Sequence, residues 1–457
     1  MTSPRRVLVA ALAGAGILAA PATVAAHQLS KSFESRLPLA VYLAGAAGAV
    51  ALSFLFVLLR DVRTEPPRAD GRQVRVPAPF RYLLRGIGLV GWTWIMAQAV
   101  VGGDSDAEVA QLFAWVYGWV GVALVSAFLL PLWAWLDPFR TLHDIGARAL
   151  RLAGVTGIEA VPYPAGLGRW PAVVGLGAVI WLELVAFGGG SRTLGLVIAG
   201  YTVFTLAMMA QFGRRTWSEN GETFAVWFGL LGRLAPLALA NGDRDDTLRR
   251  RDFASGLLEG GWARSDIVMV GLGTGSILFD GLSQTQAWVG VFGLPAALPQ
   301  TLLLAAFLGI VVGAALLVSG LVGTAATGAG LLPISVGYLL AHYFTYLLID
   351  GQRIVIAISD PLQRGSDLFG TAFFQPESAW IPPGLIWTLQ LGAVVGGHMI
   401  GAWAGHVVAA AHARAGGMGD ALAREIRLRQ VPLALVMVAL TTLTLWSLGQ
   451  ALFIPTA

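Results

Sequence analysis

His342 and His398 fall near the midpoints of two apolar stretches, each long enough to cross a bilayer. An ionisable side chain at that depth is tolerated where it faces a bundle interior and finds a partner, so both are candidate site residues. Three carboxylates, Glu183, Asp280 and Asp350, lie in other apolar stretches or at their ends. Imidazole and carboxylate together suit zinc, copper, iron or manganese. A divalent metal ion, copper or zinc, held by His342, His398 and Asp280 could polarise an oxyanion or bring a bound water to a pKa of about 7. Asp350 and Glu183 would then act as base or as partners of the ligands. Each residue also has a plain structural reading. Histidines can hydrogen-bond between helices as packing contacts. Glu183 can pair helices near the interface, and Asp350 can cap a helix end in water.

His27 is a candidate of another kind. Arg5 and Arg6, the apolar run 7–20 and the small residues Val24-Ala25-Ala26 make the pattern of a secretory signal cleaved after Ala26. An uncleaved first helix is the alternative. Cleavage would leave His27 at the mature amino terminus, where its α-amine and ring nitrogen could chelate one metal ion, copper in particular. Otherwise His27 is an ordinary residue behind a cleavage site.

The elements that must position these groups are membrane helices. The chain has 457 residues, is 56% hydrophobic and only 12% charged, about half the charge of a soluble domain. Apolar runs near 37–59, 83–102, 110–136, 170–188, 193–212, 223–240, 266–283, 297–323, 331–350, 384–410 and 430–451 predict an all-α, polytopic transmembrane helix bundle. With 58 glycines, many of them inside those runs, close helix packing in lipid is expected. The chain after the signal, 27–457, reads as a single integral membrane domain. There is no cysteine, which removes disulfides, thiolate metal sites and cysteine nucleophiles. A pI near 9.7 comes from arginines in short loops beside the spans. It fits the positive-inside rule and implies a lipid bilayer as partner, not a nucleic acid.

That rule places loops 60–81, 140–169 and 412–429 in the cytoplasm and the mature amino terminus outside an inner or plasma membrane. Segment 244–251, with Arg244, Arg249, Arg250 and Arg251, conflicts with strict alternation. Reading 222–240 as a re-entrant or surface-lying helix removes the conflict and leaves ten or eleven spans. The connection 351–383 then lies outside. Its turn residues and aromatics, among them Asp360-Pro361, Gly365, Phe369, Phe373 and Trp380, predict an ordered lid. Asp137-Pro138-Phe139-Arg140 reads as a span end, with Arg140 reaching headgroups. In the stretch 217–224, Ser218 or Asn220 is expected to cap a helix. His406 and His412 fall nearer the cytoplasmic end of their helix. No phosphate loop, G-x-S-x-G or H-E-x-x-H motif is present.

Ala26-His27 followed by a Leu-Pro span, Trp217-Ser218-Glu219-Asn220-Gly221-Glu222-Thr223-Phe224, Phe279-Asp280-Gly281-Leu282-Ser283, Ile358-Ser359-Asp360-Pro361, Asp367-Leu368-Phe369-Gly370-Thr371 and Gly397-His398 stand along most of the chain. In these motifs it resembles bacterial polytopic membrane proteins of the fenitrothion hydrolase-like family. Members commonly carry a second histidine followed by Asp-Arg. Here His406-Val407-Val408 and His412-Ala413-Arg414 stand instead, without that acidic partner. The resemblance implies hydrolysis of a phosphotriester with an aryl leaving group, on a small apolar or aromatic substrate. Two other readings stay open: a transporter or copper- and metal-handling permease, and a subunit working with membrane-protein partners.

Overall fold

The structure is a computed structural model that describes residues 71–450 apart from 106, 156–159, 187–189, 242–243, 379 and 416–429, together with 44–45, 47–48 and 51–52. The expected signal segment 1–26 and His27 lie outside the described residues, as does most of the first apolar run. The helices are α1 Ala78–Val101, α2 Val109–Phe128, α3 Pro138–Leu152, α4 Trp170–Leu184, α5 Ser191–Phe212, α6 Arg214–Asn220 and α7 Thr223–Leu231. They continue with α8 Arg264–Ser283, α9 Gln286–Phe292, α10 Ala297–Val322, α11 Thr324–Asp350, α12 Pro383–Ala415 and α13 Val431–Leu448. Among the described residues nine helices are long and apolar enough to cross a membrane: α1, α2, α4 taken with the helical turn before it as Ala165–Leu184, α5, α8, α10, α11, α12 and α13. The helical bundle is therefore all-α in character and compatible with a multi-pass membrane protein.

The stretch 223–240 does not form a span. Helix α7 stops at Leu231 after nine residues, about 14 Å at 1.5 Å per residue and too short for a ~30 Å hydrocarbon core. The chain turns at 232–236 into strand β2, Leu237–Asn241, and returns as β3, Arg244–Arg250. β3 also pairs antiparallel with β1, Gln73–Arg75, in the order β1-β3-β2. This small sheet is absent from the sequence reading. It packs Leu248 and Val76 on Trp135, and it places 73–75 and 244–250 at one end of the bundle. Connection 351–383 lies at the other end.

Helices α8 and α11 form the centre. Of their most apolar stretches 83% and 72% is buried, against 22% for α10 on the outside. Helices α4, α8 and α11 run parallel, tied by Arg169 just before α4 to Asp266 in the first turn of α8 at 2.9 Å. Further along, Thr274 bonds Ser335. Antiparallel α12 packs on α11 through glycines. A Cβ on Gly337 would stand 2.5 Å from the Ala393 carbonyl oxygen, one on Gly397 2.6 Å from that of Pro333, and one on Gly401 2.2 Å from that of Gly330. Only hydrogen fits there, so van der Waals contact between backbones replaces the hydrophobic effect, which lipid does not supply.

Candidate functional site

The parallel run of α4, α8 and α11 carries Glu183, Asp280, His342 and Tyr343 to a common level toward the loop end. His342 Nε2 lies 2.9 Å from Asp280 Oδ2, and both side chains are buried. The Tyr343 hydroxyl donates to the same Asp280 oxygen at 3.0 Å and makes a longer 3.5 Å contact to Glu183 Oε1. Gln284, one turn beyond Asp280, donates to its other oxygen at 2.7 Å. Asp280 thus accepts from three side chains. With the carboxylate accepting, the His342 ring carries its proton on Nε2 and keeps Nδ1 as an acceptor. Glu183 is less well supplied: its Oε2 is buried with no hydrogen-bond partner. Tyr343 is the member that the sequence reading missed. Its position directly after His342 was the available signal, because adjacent helical residues point about 100° apart and can face two neighbouring helices.

A small cavity beside His342 has room for about one water molecule and is lined in part by Tyr338, Thr444 and Ser447. Ser447 Oγ and His342 Nδ1 each stand 3.5 Å from the position a Cβ on Gly281 would take, so this glycine keeps the space between them open.

The other expected site residues are elsewhere. His398 is fully buried, but its Nδ1 hydrogen-bonds the Val394 carbonyl at 2.7 Å one turn back. Its ring lies 5.7 Å from that of Tyr338, and its Nε2 has no hydrogen-bond partner, with the Met437 carbonyl as the facing backbone group. Asp350 ends α11 and pairs with Arg353 at 3.1 Å, partly exposed. Asp280 and His342 are hydrogen-bonded to each other, and among the described residues no group of three or more His, Asp or Glu stands close enough together to hold a metal ion. Of the expected metal ligands the structure brings His342 and Asp280 together, while His398 bonds the Val394 carbonyl of its own helix. His406 Nδ1 pairs with Gln430 Oε1 at 3.0 Å, and His412 with the Val408 carbonyl.

A second buried acidic group lies at the sheet end. Asp137 caps α3, accepting from the amides of Phe139 and Arg140 at 2.8 and 3.1 Å. The expected stop is there, since the short helix Trp133–Leu136 ends at Asp137, but the span itself ends earlier, at Phe128. Pro138 also starts a new helix, because proline fits the first helical position without loss of a hydrogen bond. Arg140 Nη1 donates to the Ala134 carbonyl. In the 217–224 stretch the cap is Glu222, in place of the expected Ser218 or Asn220. It accepts from the Phe224 and Ala225 amides, the Tyr201 hydroxyl at 2.6 Å and Trp133 Nε1 at 3.1 Å. Burial, and next the neighbouring charge of Glu222, push Asp137 up to about 8. Burial likewise raises Glu222.

The connection 351–383 is ordered around Asp360. Ser105, Ser366 and the amides of Arg364 and Gly365 all donate to its carboxylate. Burial alone would raise this group, but the four donors outweigh it and bring it down to about 2. Trp94 and Gln98 of α1 donate to the Pro361 carbonyl, so the loop is bolted to the end of α1.

Comparison with family models, with curated proteins and with solved structures finds no match to this chain.

Proposed function

We propose that this protein is a membrane-embedded hydrolase in which His342, oriented by Asp280, is the general base acting on a small apolar ester. The observation that carries the reading is the 2.9 Å bond between His342 Nε2 and Asp280 Oδ2. Such a bond fixes the imidazole tautomer, presents Nδ1 to the reacting group and stabilises the imidazolium that forms, as the acid partner does in acyl-transfer triads. Tyr343 holds Asp280 in place and links it to Glu183, a route for the proton away from the site. Phosphotriesters with an aryl leaving group are the substrate class that the family resemblance implies. The arginine-rich sheet end would face the cytoplasm of an inner or plasma membrane, and the loop end the outside.

The test is hydrolysis of an aryl phosphotriester by purified full-length protein in detergent, followed by release of the phenol. His342→Ala and Asp280→Asn are expected to lose about 10²- to 10⁴-fold in turnover while keeping helical content. Elemental analysis belongs with it: a stoichiometric tightly bound metal would turn His342 from base to ligand. A second reading, a proton-coupled permease, draws on the chain His342–Asp280–Tyr343–Glu183, because linked ionisable groups inside a bundle are how relays are built. Gradient-driven uptake in proteoliposomes without turnover in detergent would put this reading in place of the first.

A further inference from the structure

We infer that Tyr338, Thr444 and Ser447 complete, against His342, a station for one water molecule, and that this water is the group His342 deprotonates. The inference rests on His342 being the acid–base residue. The donors and acceptors around the cavity argue for it. The Tyr338 hydroxyl is 1% exposed by residue and has no hydrogen-bond partner, with Thr444 as the polar group facing it. A buried hydroxyl left without a partner is destabilising, and this one lines the same cavity as His342. Thr444 Oγ1 donates back to the Leu440 carbonyl at 2.9 Å, and Ser447 Oγ to the Thr444 carbonyl at 2.8 Å. Both hydroxyl protons are committed, so each oxygen turns only lone pairs to the cavity. His342 contributes a third acceptor, Nδ1, because Nε2 is tied to Asp280.

One donor and three acceptors around a water-sized space are the complement of one water. It accepts from Tyr338 and donates to His342 Nδ1 and to Ser447 or Thr444, making three hydrogen bonds, the usual number for a buried water. A larger ligand does not fit, and an apolar one would leave the Tyr338 hydroxyl and His342 Nδ1 unmet. In the reaction this water gives one proton to Nδ1 while its oxygen bonds to the electrophilic centre. The bond to the leaving group breaks, and the proton held by His342 passes to that group. Helix α13, to which the sequence assigned no chemistry, thereby supplies two of the positioning residues.

The experiment uses full-length protein labelled with ¹⁵N-histidine, in nanodiscs. The His342 signal is assigned by its loss in His342→Asn. Wild type is expected to show the Nε2–H tautomer and magnetisation transfer from water to the His342 ring. Ser447→Val, which fills the cavity, should abolish that transfer and cut turnover about tenfold or more with KM unchanged. Gly281→Ala, which puts a methyl between Ser447 Oγ and His342 Nδ1, is the second filling variant if Ser447→Val does not fold. No water transfer to His342 in wild type, or transfer unchanged in the filled variants, overturns the station. Failure of the parent reading looks different: transfer is present and lost on filling, yet turnover is untouched by Asp280→Asn.

Discussion

Two buried acidic clusters occupy opposite ends of one bundle, and they are satisfied in different ways. At the sheet end, Asp137 and Glu222 take backbone amides two and three residues further on, and Glu222 adds Tyr201 and Trp133. At the loop end, His342 and Tyr343 reach Asp280 across 62 and 63 residues of sequence, and Tyr343 reaches Glu183 across 160. One oxygen of Glu183 has no partner there. The first cluster closes helix ends, which need acceptors in any fold. The second joins three helices through ionisable side chains where apolar ones would pack as well. Burial alone does not separate the two. Where the donors come from, and whether any atom is left over, does.

The largest expected effects divide the clusters by readout. His342→Ala or Asp280→Asn should remove activity by the factors given above with little change in melting temperature. Glu222→Ala should do the reverse. It removes a helix cap, typically about 1 kcal/mol, and leaves the Tyr201 hydroxyl and Trp133 N–H without an acceptor, about 1–3 kcal/mol each. A loss of roughly 3–7 kcal/mol is expected, read as a lower thermal midpoint in detergent with the surviving folded fraction still active. An inactive but fully stable Glu222→Ala protein would break the comparison.

Next comes pH. Asp137 is raised to about 8 in the folded protein, against about 3.9 unfolded. Between those values the folded state binds the extra proton, so stability is full below about pH 4 and declines as pH rises towards 8. Asp137→Asn keeps the cap oxygen and removes the titration. The wild type should therefore lose thermal midpoint relative to Asp137→Asn from pH 5 to pH 8. Parallel melting curves across that range would sink the assignment. Asp360, lowered to about 2, has the opposite sign: its contribution is present above about pH 4 and lost as pH falls through 2.

Much of this was legible in the sequence because the bilayer sets a length. Among the described residues nine apolar runs coincide with nine long helices, and Asp280 and His342 stand in them as costly residues. The depth of His398 was legible too. Its direction was not: α12 is apolar all round, and a helix with no polar stripe gives no sign of which face turns to which neighbour. The sheet was hidden because β1 and β3 pair across more than 170 positions, while Leu237–Asn241 reads as the tail of an apolar run. Glu222 was hidden for a related reason. Glutamate is not among the preferred caps, and the side chain that most distinguishes it, Tyr201, comes from another helix.

The smallest expected effect concerns Asp350. It closes the helix that carries His342, but its partner is Arg353, three residues on and partly exposed. A pair of that kind contributes about 0–1 kcal/mol. Its position at the last turn adds nothing, since a negative charge at a helix C-terminus opposes the macrodipole. Asp350→Asn should leave turnover within about twofold and the melting temperature nearly unchanged. Glu183→Gln, at the far end of the Tyr343 link, should fall between this and Asp280→Asn. If Asp350→Asn instead lost as much turnover as Asp280→Asn, the reacting group would lie nearer the helix end than His342 Nδ1. The base would then have to be sought at the loop, where Gln352 already holds the 351–383 connection by bonds to Glu377.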